Sequence, residues 1–469
     1  MDNEVTDSSY TPSLRPHTGV RRSVRVSPGS YLSVIFVLAF FSSLSLYLEY
    51  DIAGFLLLFF SFVIVPILAF SDRIVFDGRA LRRTGIIPRL WTRAKGMRQR
   101  LKVRDVEQVD SQSLRGIRRN GKVSYRYRTT FRGKGIQYSV ISGGARYRRF
   151  IRSILPRLDI DVLDARSIEL REHLNDPAAV FERAKASAIP APEVLENSIM
   201  AVRVRKKHDD RVSAKAAENL DPAKANALRA LANELRVSGA LLQALEAFRR
   251  ALLFAPRDGW LLFEFGRCMQ AFAGTERDDR LHRRGVALMR LAEQRAGTDP
   301  ELLTRLGETY VQVGDWKRAS SVFKRAADTF SDNFRAVRGL AEVALREGKI
   351  AHVIHNFAAA NRNAGNTALR RWTKGEMEYF SRLHEDDEYM ELEISRVNLL
   401  DSLVRARGFA LAVAMVGMPL ILAGLLLEIP LVTNVGWASA GVAIVSWSLL
   451  SVMQRMLADR IPFDLLERQ

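Results

Sequence analysis

Four runs along the chain contain no Asp, Glu, Lys or Arg: Val26–Leu48, Ile52–Ser71, Gly408–Leu427 and Ile429–Gln454. Each is long enough to cross a bilayer core as a helix of about 20 residues. They fall in two close pairs on either side of a polar body, joined within each pair by Glu49-Tyr50-Asp51 and by roughly Glu428 to Asn434. Connectors this short predict two helical hairpins, each entering and leaving on one side. Arginine sets that side. Arg15, Arg21, Arg22 and Arg25 precede the first run, Arg73, Arg79, Arg82 and Arg83 follow the second, Arg396, Arg405 and Arg407 precede the third, and Arg455 and Arg460 follow the fourth. The connectors carry acids and no Lys or Arg, so the positive-inside rule predicts a protein integral to the cell (inner) membrane with both termini and the body cytoplasmic.

After the second run the period changes to two. Arg73 to Phe76 leads through Asp77-Gly78 into a second short run, a hairpin signal. Beyond Asn120-Gly121, Val123, Tyr125, Tyr127 and Thr129 alternate with Ser124, Arg126 and Arg128, and Gly133-Lys134-Gly135 precedes a further alternating run. These are half-buried strands with an arginine-rich face. A helical stripe then sets Tyr147, Phe150, Ile151 and Ile154 opposite Arg146, Arg148, Arg149 and Arg152. This stretch, opening at Asp72-Arg-Ile-Val-Phe-Asp-Gly and including the Val106-Glu-Gln-Val-Asp strand, resembles the bacterial pleckstrin-homology-like domain, which often follows a transmembrane hairpin. The resemblance implies a binding or assembly module with no catalytic residues. Arg126, Arg128, Arg146, Arg149 and Arg152 are its candidate lipid-facing residues, since basic side chains near a surface attract anionic headgroups.

From about residue 223 the sequence repeats with a period near 34, the mark of stacked helix pairs. With Gly314 as the turn, Leu306-Gly307 and Tyr310 fall in a first helix and Ala319, Phe323 and Ala326 in a second. The pattern recurs at Leu340-Ala341, Gly348, Phe357 and Ala360, and earlier at Leu231-Ala232, Gly239, Ala244, Phe248 and Ala251. A degenerate copy with Phe265-Gly266, Gly285, Met289 and Ala292 lies between them, its turn expected to be lengthened by Thr275 to Arg280. These positions resemble the tetratricopeptide repeat, which implies protein or peptide binding on a concave face lined by the first helices. The groove candidates are Arg229, Asn233, Arg236, Thr304, Glu308, Gln312, Arg335, Arg338, Glu342 and Arg346. Their arginine bias suggests an acidic partner, because guanidinium groups recognise carboxylates bidentately. Arg229, Asn233 and Arg305 also stand where some members of this family grip a C-terminal carboxylate, although Glu264 and Glu301 at the remaining clamp positions would repel one.

Charge sharpens the division. The net charge is +19, and residues 71–160 carry 24 Lys and Arg against 6 Asp and Glu, which accounts for +18 of it. The basicity belongs to the strand-rich module, where a topology signal explains it more simply than nucleic acid does. One cysteine, Cys268, excludes an intrachain disulfide and suits a reducing compartment. His352 and His355 share a helix face without a third ligand nearby, no phosphate loop or nucleophile motif is present, and the apolar runs hold no ionisable residue. These features argue against metal, cofactor, enzyme and transporter readings. Small residues Gly417, Gly424, Gly436, Ala440 and Gly441 favour close packing of the hairpins or homo-oligomerisation.

The expected architecture is a multidomain membrane protein with two transmembrane α-helical hairpins, a small β-rich domain and an all-α solenoid. Its parts are a disordered N-terminus (1–25), hairpin one (26–71), the basic domain (72–158), a partly helical linker without assigned function (159–222), repeats (223–366), capping helices (367–407), hairpin two (408–454) and a cytoplasmic tail (455–469). The expected function is a membrane-anchored, non-enzymatic scaffold or adaptor for a protein or peptide. The alternative is a regulator that responds to anionic lipid through the basic domain.

Overall fold

A computed structural model describes residues 22–26, 29–95, 100–117, 123–142, 144–195, 221–458 and 460. The chain divides into two compact units, the first holding residues up to 26, 72–333 and 365–369, the second 27–71, 334–364 and everything from 370.

The first unit opens with two antiparallel sheets. Strands β1 (Arg22–Arg25), β2 (Arg73–Phe76), β3 (Ala80–Thr84) and β4 (Arg100–Lys102) form one in that order. Residues 22–25, expected in a disordered terminus, instead pair with β2 in the register Arg22↔Phe76 to Arg25↔Arg73 and bury Val24. The β2–β3 turn is the expected one: the Asp77 carboxylate accepts from the Arg79 and Ala80 amides at 3.0 and 2.7 Å, and Gly78 takes φ 89°. A short helix, α3 (Ile86–Lys95), intervenes before β4 and leaves Ile86, Ile87 and Leu90 exposed. Strands β5 (Gln108–Ile117), β6 (Val123–Gly133) and β7 (Ile136–Ser142) make the second sheet. Asn120-Gly121 lies outside the described residues, whereas Lys134 and Gly135 both take positive φ in the β6–β7 turn.

Helix α4 (Ala145–Ile154) closes the sheets. Tyr147, Phe150, Ile151 and Ile154 are fully buried, and the Phe150 ring meets Phe76 of one sheet at 6.4 Å and Phe131 of the other at 6.5 Å. The five candidate lipid-facing arginines are all exposed.

Two short helices follow in the stretch read as a linker, α5 (Ala165–His173) and α6 (Pro177–Ala186). Three antiparallel helix pairs complete the unit: α7 (Pro222–Ser238) with α8 (Leu241–Phe254), α9 (Gly259–Glu276) with α10 (Asp279–Arg295), and α11 (Pro300–Val313) with α12 (Trp316–Thr329). Gly239 and Gly314 make their turns at φ 92° and 84°. In the middle pair the charged stretch does not lengthen the turn. It extends α9 to 18 residues, and Arg277 takes the left-handed role at φ 53° in glycine's place. Small residues set the spacing within pairs: a β-carbon on Gly307 would stand 2.5 Å from the Phe323 ring.

The second unit contains α1 (Gly29–Tyr47), α2 (Asp51–Ser71), a fourth pair α13 (Phe334–Arg346) and α14 (Ile350–Asn363), then α15 (Thr367–Glu385) from Arg370 onward, α16 (Asp387–Leu426) and α17 (Pro430–Met456). Four of these, α1, α2, α16 and α17, are long and apolar enough to cross a membrane. Helix α2 winds as a π turn over Phe60–Ile64, just ahead of Pro66. The polar half of α16 continues unbroken across Arg407 into its apolar half, over 40 residues. Helices α16 and α17 pack closely through the small residues read from the sequence. A β-carbon at Gly424 would lie 2.5 Å from the Thr433 amide nitrogen, and one at Gly436 2.7 Å from that of Ile421. Helix α1 joins them where Phe40 meets the Trp437 ring at 5.2 Å and Tyr47 donates to Asn434 Oδ1 at 2.8 Å.

Candidate functional site

The inner face of the helix-pair array, lined by α7, α9 and α11, carries a dense set of arginines. Arg229 and Asn233 on α7 both turn to Glu264 on α9, Arg229 donating through Nε at 2.7 Å and Nη2 at 3.1 Å and Asn233 through Nδ2 at 2.7 Å. The indole of Trp260 lies between Arg229 and Arg305, whose guanidinium carbons stand 5.5 and 5.4 Å from its ring. The residues with a clamp's geometry therefore hold a carboxylate supplied by the neighbouring repeat.

Arg236, two turns further along α7 than Arg229, reaches Glu169 on α5 with Nη1 at 3.0 Å. Arg267 on α9 pairs with the same carboxylate. One turn on, Glu172 accepts from Arg305 Nη1 on α11 at 3.0 Å, while Arg305 Nε also donates to Glu301 at 2.8 Å. Asn175 and Arg183 complete the attachment by donating to Glu234 at 2.7 and 3.1 Å. A helix of the chain itself is thus seated by its two glutamates on the arginines of the array.

Sequence and local chemistry place α5 there. Asp164 caps it, accepting from the Ser167 amide at 2.8 Å and from the Ser111 amide of β5 at 3.2 Å. A buried hydroxyl chain runs from Ser167 to Ser111 at 2.8 Å, on to Thr129 at 2.9 Å and to Tyr147 at 2.7 Å. Tyr127 stacks on Tyr147 and donates to the Val237 carbonyl of α7 at 2.8 Å. Helix α5 therefore presents Ser167 to the sheet module and Glu169 and Glu172 to the helix pairs.

Burial would raise the Glu169 pKa, but the guanidinium groups of Arg236, Arg267 and Arg166 outweigh it and hold the carboxyl down at about 2. Burial lowers Arg267 to about 10 despite Glu169, with Arg236, Arg166 and Arg305 adding repulsion. At Asp164 burial dominates its hydrogen bonds and raises the carboxyl to about 6.

The remaining groove candidates are dispersed. Thr304 is buried and bonded to the Pro300 carbonyl and to Asn333, Glu308 is half-buried and Gln312 is exposed. In the second unit Arg335 is buried, Arg338 stands 3.6 Å from Glu342, and Glu342 and Arg346 are exposed. Repeat register located Arg229, Asn233 and Arg236, and Glu264 at a clamp position, but not Glu169 and Glu172. The available signal for α5 was Glu169 and Glu172 three apart behind an Asp-x-x-Ser cap, in a stretch without apolar periodicity.

No family model and no curated relative matches this sequence. Solved structures similar to parts of it include that of MamA, at 13% identity and a TM-score of 0.25 over 30% of this chain and 80% of that one. A thermophilic TPR protein of Thermus thermophilus gives 21% identity and 0.29 over 35% and 87%. Yeast Tom70 gives 14% and 0.23 over 51% and 56%. Likenesses at this level assign neither function nor partner, and the helix-pair array stands on its own period and geometry.

Proposed function

We propose that the chain is a membrane-integrated, non-enzymatic scaffold that binds an acidic protein segment through its helix-pair array. The observation that carries this reading is the seating of Glu169 and Glu172 on Arg236, Arg267 and Arg305: the arginines of the array bind carboxylates presented from one face of a helix. The in-cis helix occupies the inner face of α7, α9 and α11, so the partner displaces α5 or binds the fourth pair by itself, around Arg338 and Arg346. Membrane integration is supported by the four long apolar helices and the arginines flanking them. Support for a PH-like module close to the bilayer comes from α3, where Ile86, Ile87 and Leu90 are exposed beside Arg89 and Arg93, 15 residues beyond the end of α2.

The test is a crosslinked pull-down of the full chain in detergent beside Arg338→Glu/Arg346→Glu and Glu169→Gln/Glu172→Gln. A shared partner should be lost from the first variant and captured more strongly by the second, in which the in-cis helix is weakened. Identical captures from all three chains would sink the reading.

Anionic-lipid sensing by the basic module is the second reading, favoured by the exposure of Arg126, Arg128, Arg146, Arg149 and Arg152.

A further inference from the structure

Where α5, the β5–β6 hairpin and the helix pairs meet, a cavity of about 200 Å3 opens among Arg166, Arg236, Arg267, Glu169, Gln270 and Tyr125. Two guanidinium groups, of Arg236 and Arg267, converge there on the Glu169 carboxylate, and a third, of Arg166, which donates to Ser113 Oγ, lines the same cavity. Of the other acids nearby, Glu264 is already held by Arg229 and Asn233, and Glu172 by Arg305. The side chains of Arg236, Arg267 and Glu169 are 10, 9 and 7% exposed, so water screens this excess of positive charge poorly. Two donors add to it: Arg236 Nε and Gln270 Nε2 are buried and make no hydrogen bond among the described residues. Unpaired buried donors are rare in folded proteins and require an explanation in each case.

We propose that this cavity is a binding site for a compact oxyanion of the phosphate type. Its volume lies below the roughly 300–1,000 Å3 of sites for drug-sized ligands and suits a small group. Arginine forks match phosphate oxygens with two parallel hydrogen bonds, and bound phosphate would supply the negative charge that Glu169 alone does not. The anion would sit against Tyr125 of the sheet module, α5 and two array helices together, so its binding would fasten the two modules to each other. This site is separate from the exposed arginines of the basic module and does not depend on a protein partner.

The experiment uses the full chain in nanodiscs of neutral lipid. Labelled inorganic phosphate is followed by equilibrium dialysis, and thermal denaturation is compared in phosphate and in chloride at matched ionic strength. The native chain should bind about one phosphate saturably and gain a few degrees of Tm over chloride. Gln270→Leu, which removes a donor without touching the ion pairs, should weaken binding about 3- to 10-fold. Arg267→Gln should abolish it. Glu169→Gln is the sharpest arm: removing the carboxylate that competes for the same guanidinium groups should tighten binding about tenfold, whereas a purely structural cluster would only lose stability. A lipid headgroup carries the same phosphate chemistry. Nanodiscs with phosphatidylglycerol that suppress phosphate uptake assign the site to a headgroup, and unchanged uptake assigns it to a soluble anion. No saturable uptake by either the native chain or Glu169→Gln, with no stabilisation by anionic lipid, overturns the proposal.

Discussion

Glu169 is the residue through which α5 holds two helices of the array, those of Arg236 and Arg267. Its folded pKa of about 2 lies below the ordinary 4.5, so its contribution is fully present above pH 4.5 and is lost as pH falls from there towards 2. Asp164 has the opposite sign: its folded value of about 6 lies above 3.8, so its contribution is present below 3.8 and is lost as pH rises through 6. Thermal midpoints of the full chain should therefore fall steeply below pH 4.5, and Glu169→Gln should flatten that limb while leaving the limb near pH 6. Matching profiles in the two chains would remove Glu169 from the explanation. Arg229, Asn233 and Arg236 were legible from the repeat register, because the period fixes which residues share the inner face. Glu264 stood in the same register, but Glu169 and Glu172 were not legible, because two glutamates on a two-turn helix carry no periodic signal.

Elements were readable to the extent that backbone geometry leaves a residue signature. Gly239, Gly314 and Gly348 mark inter-helix turns because each holds a positive φ that other residues reach at a cost. Arg277 fills the same role without the glycine, which is why the middle pair reads as degenerate and the end of its long α9 as part of a lengthened turn. The close-packing positions have steric rather than conformational causes, and Gly307 shows it best. Gly307→Val should force Phe323 from its site and destabilise the array by about 1–3 kcal/mol, read as a lower Tm and faster proteolysis between α11 and α12. An unchanged Tm would mean that the pair can splay without loss. The β1 strand escaped reading because four residues rich in arginine resemble a topology signal more than an edge strand; pairing with β2 decides it.

At the scale of the molecule, hydropathy and charge agree on one arrangement. The positive-inside reading places Tyr50 outside and Arg346 inside the cell. The single cysteine makes this testable, since Cys268 is buried and burial pushes its thiol up to about 12, where it reacts slowly. In a Cys268→Ser background, an impermeant maleimide applied to intact cells should label Tyr50→Cys and not Arg346→Cys; the reverse pattern would invert the topology. Helix α16 adds a mechanical consequence to that arrangement. At 1.5 Å per residue its 40 residues span about 60 Å, twice the thickness of a hydrocarbon core. Its polar half therefore acts as a rigid spindle rising about 30 Å from the proposed bilayer, with no loop to absorb rotation. Each residue added to or removed from that shaft would turn whatever it carries by about 100° as well as change its height, so the length of this one helix sets both the altitude and the azimuth of the elements it supports.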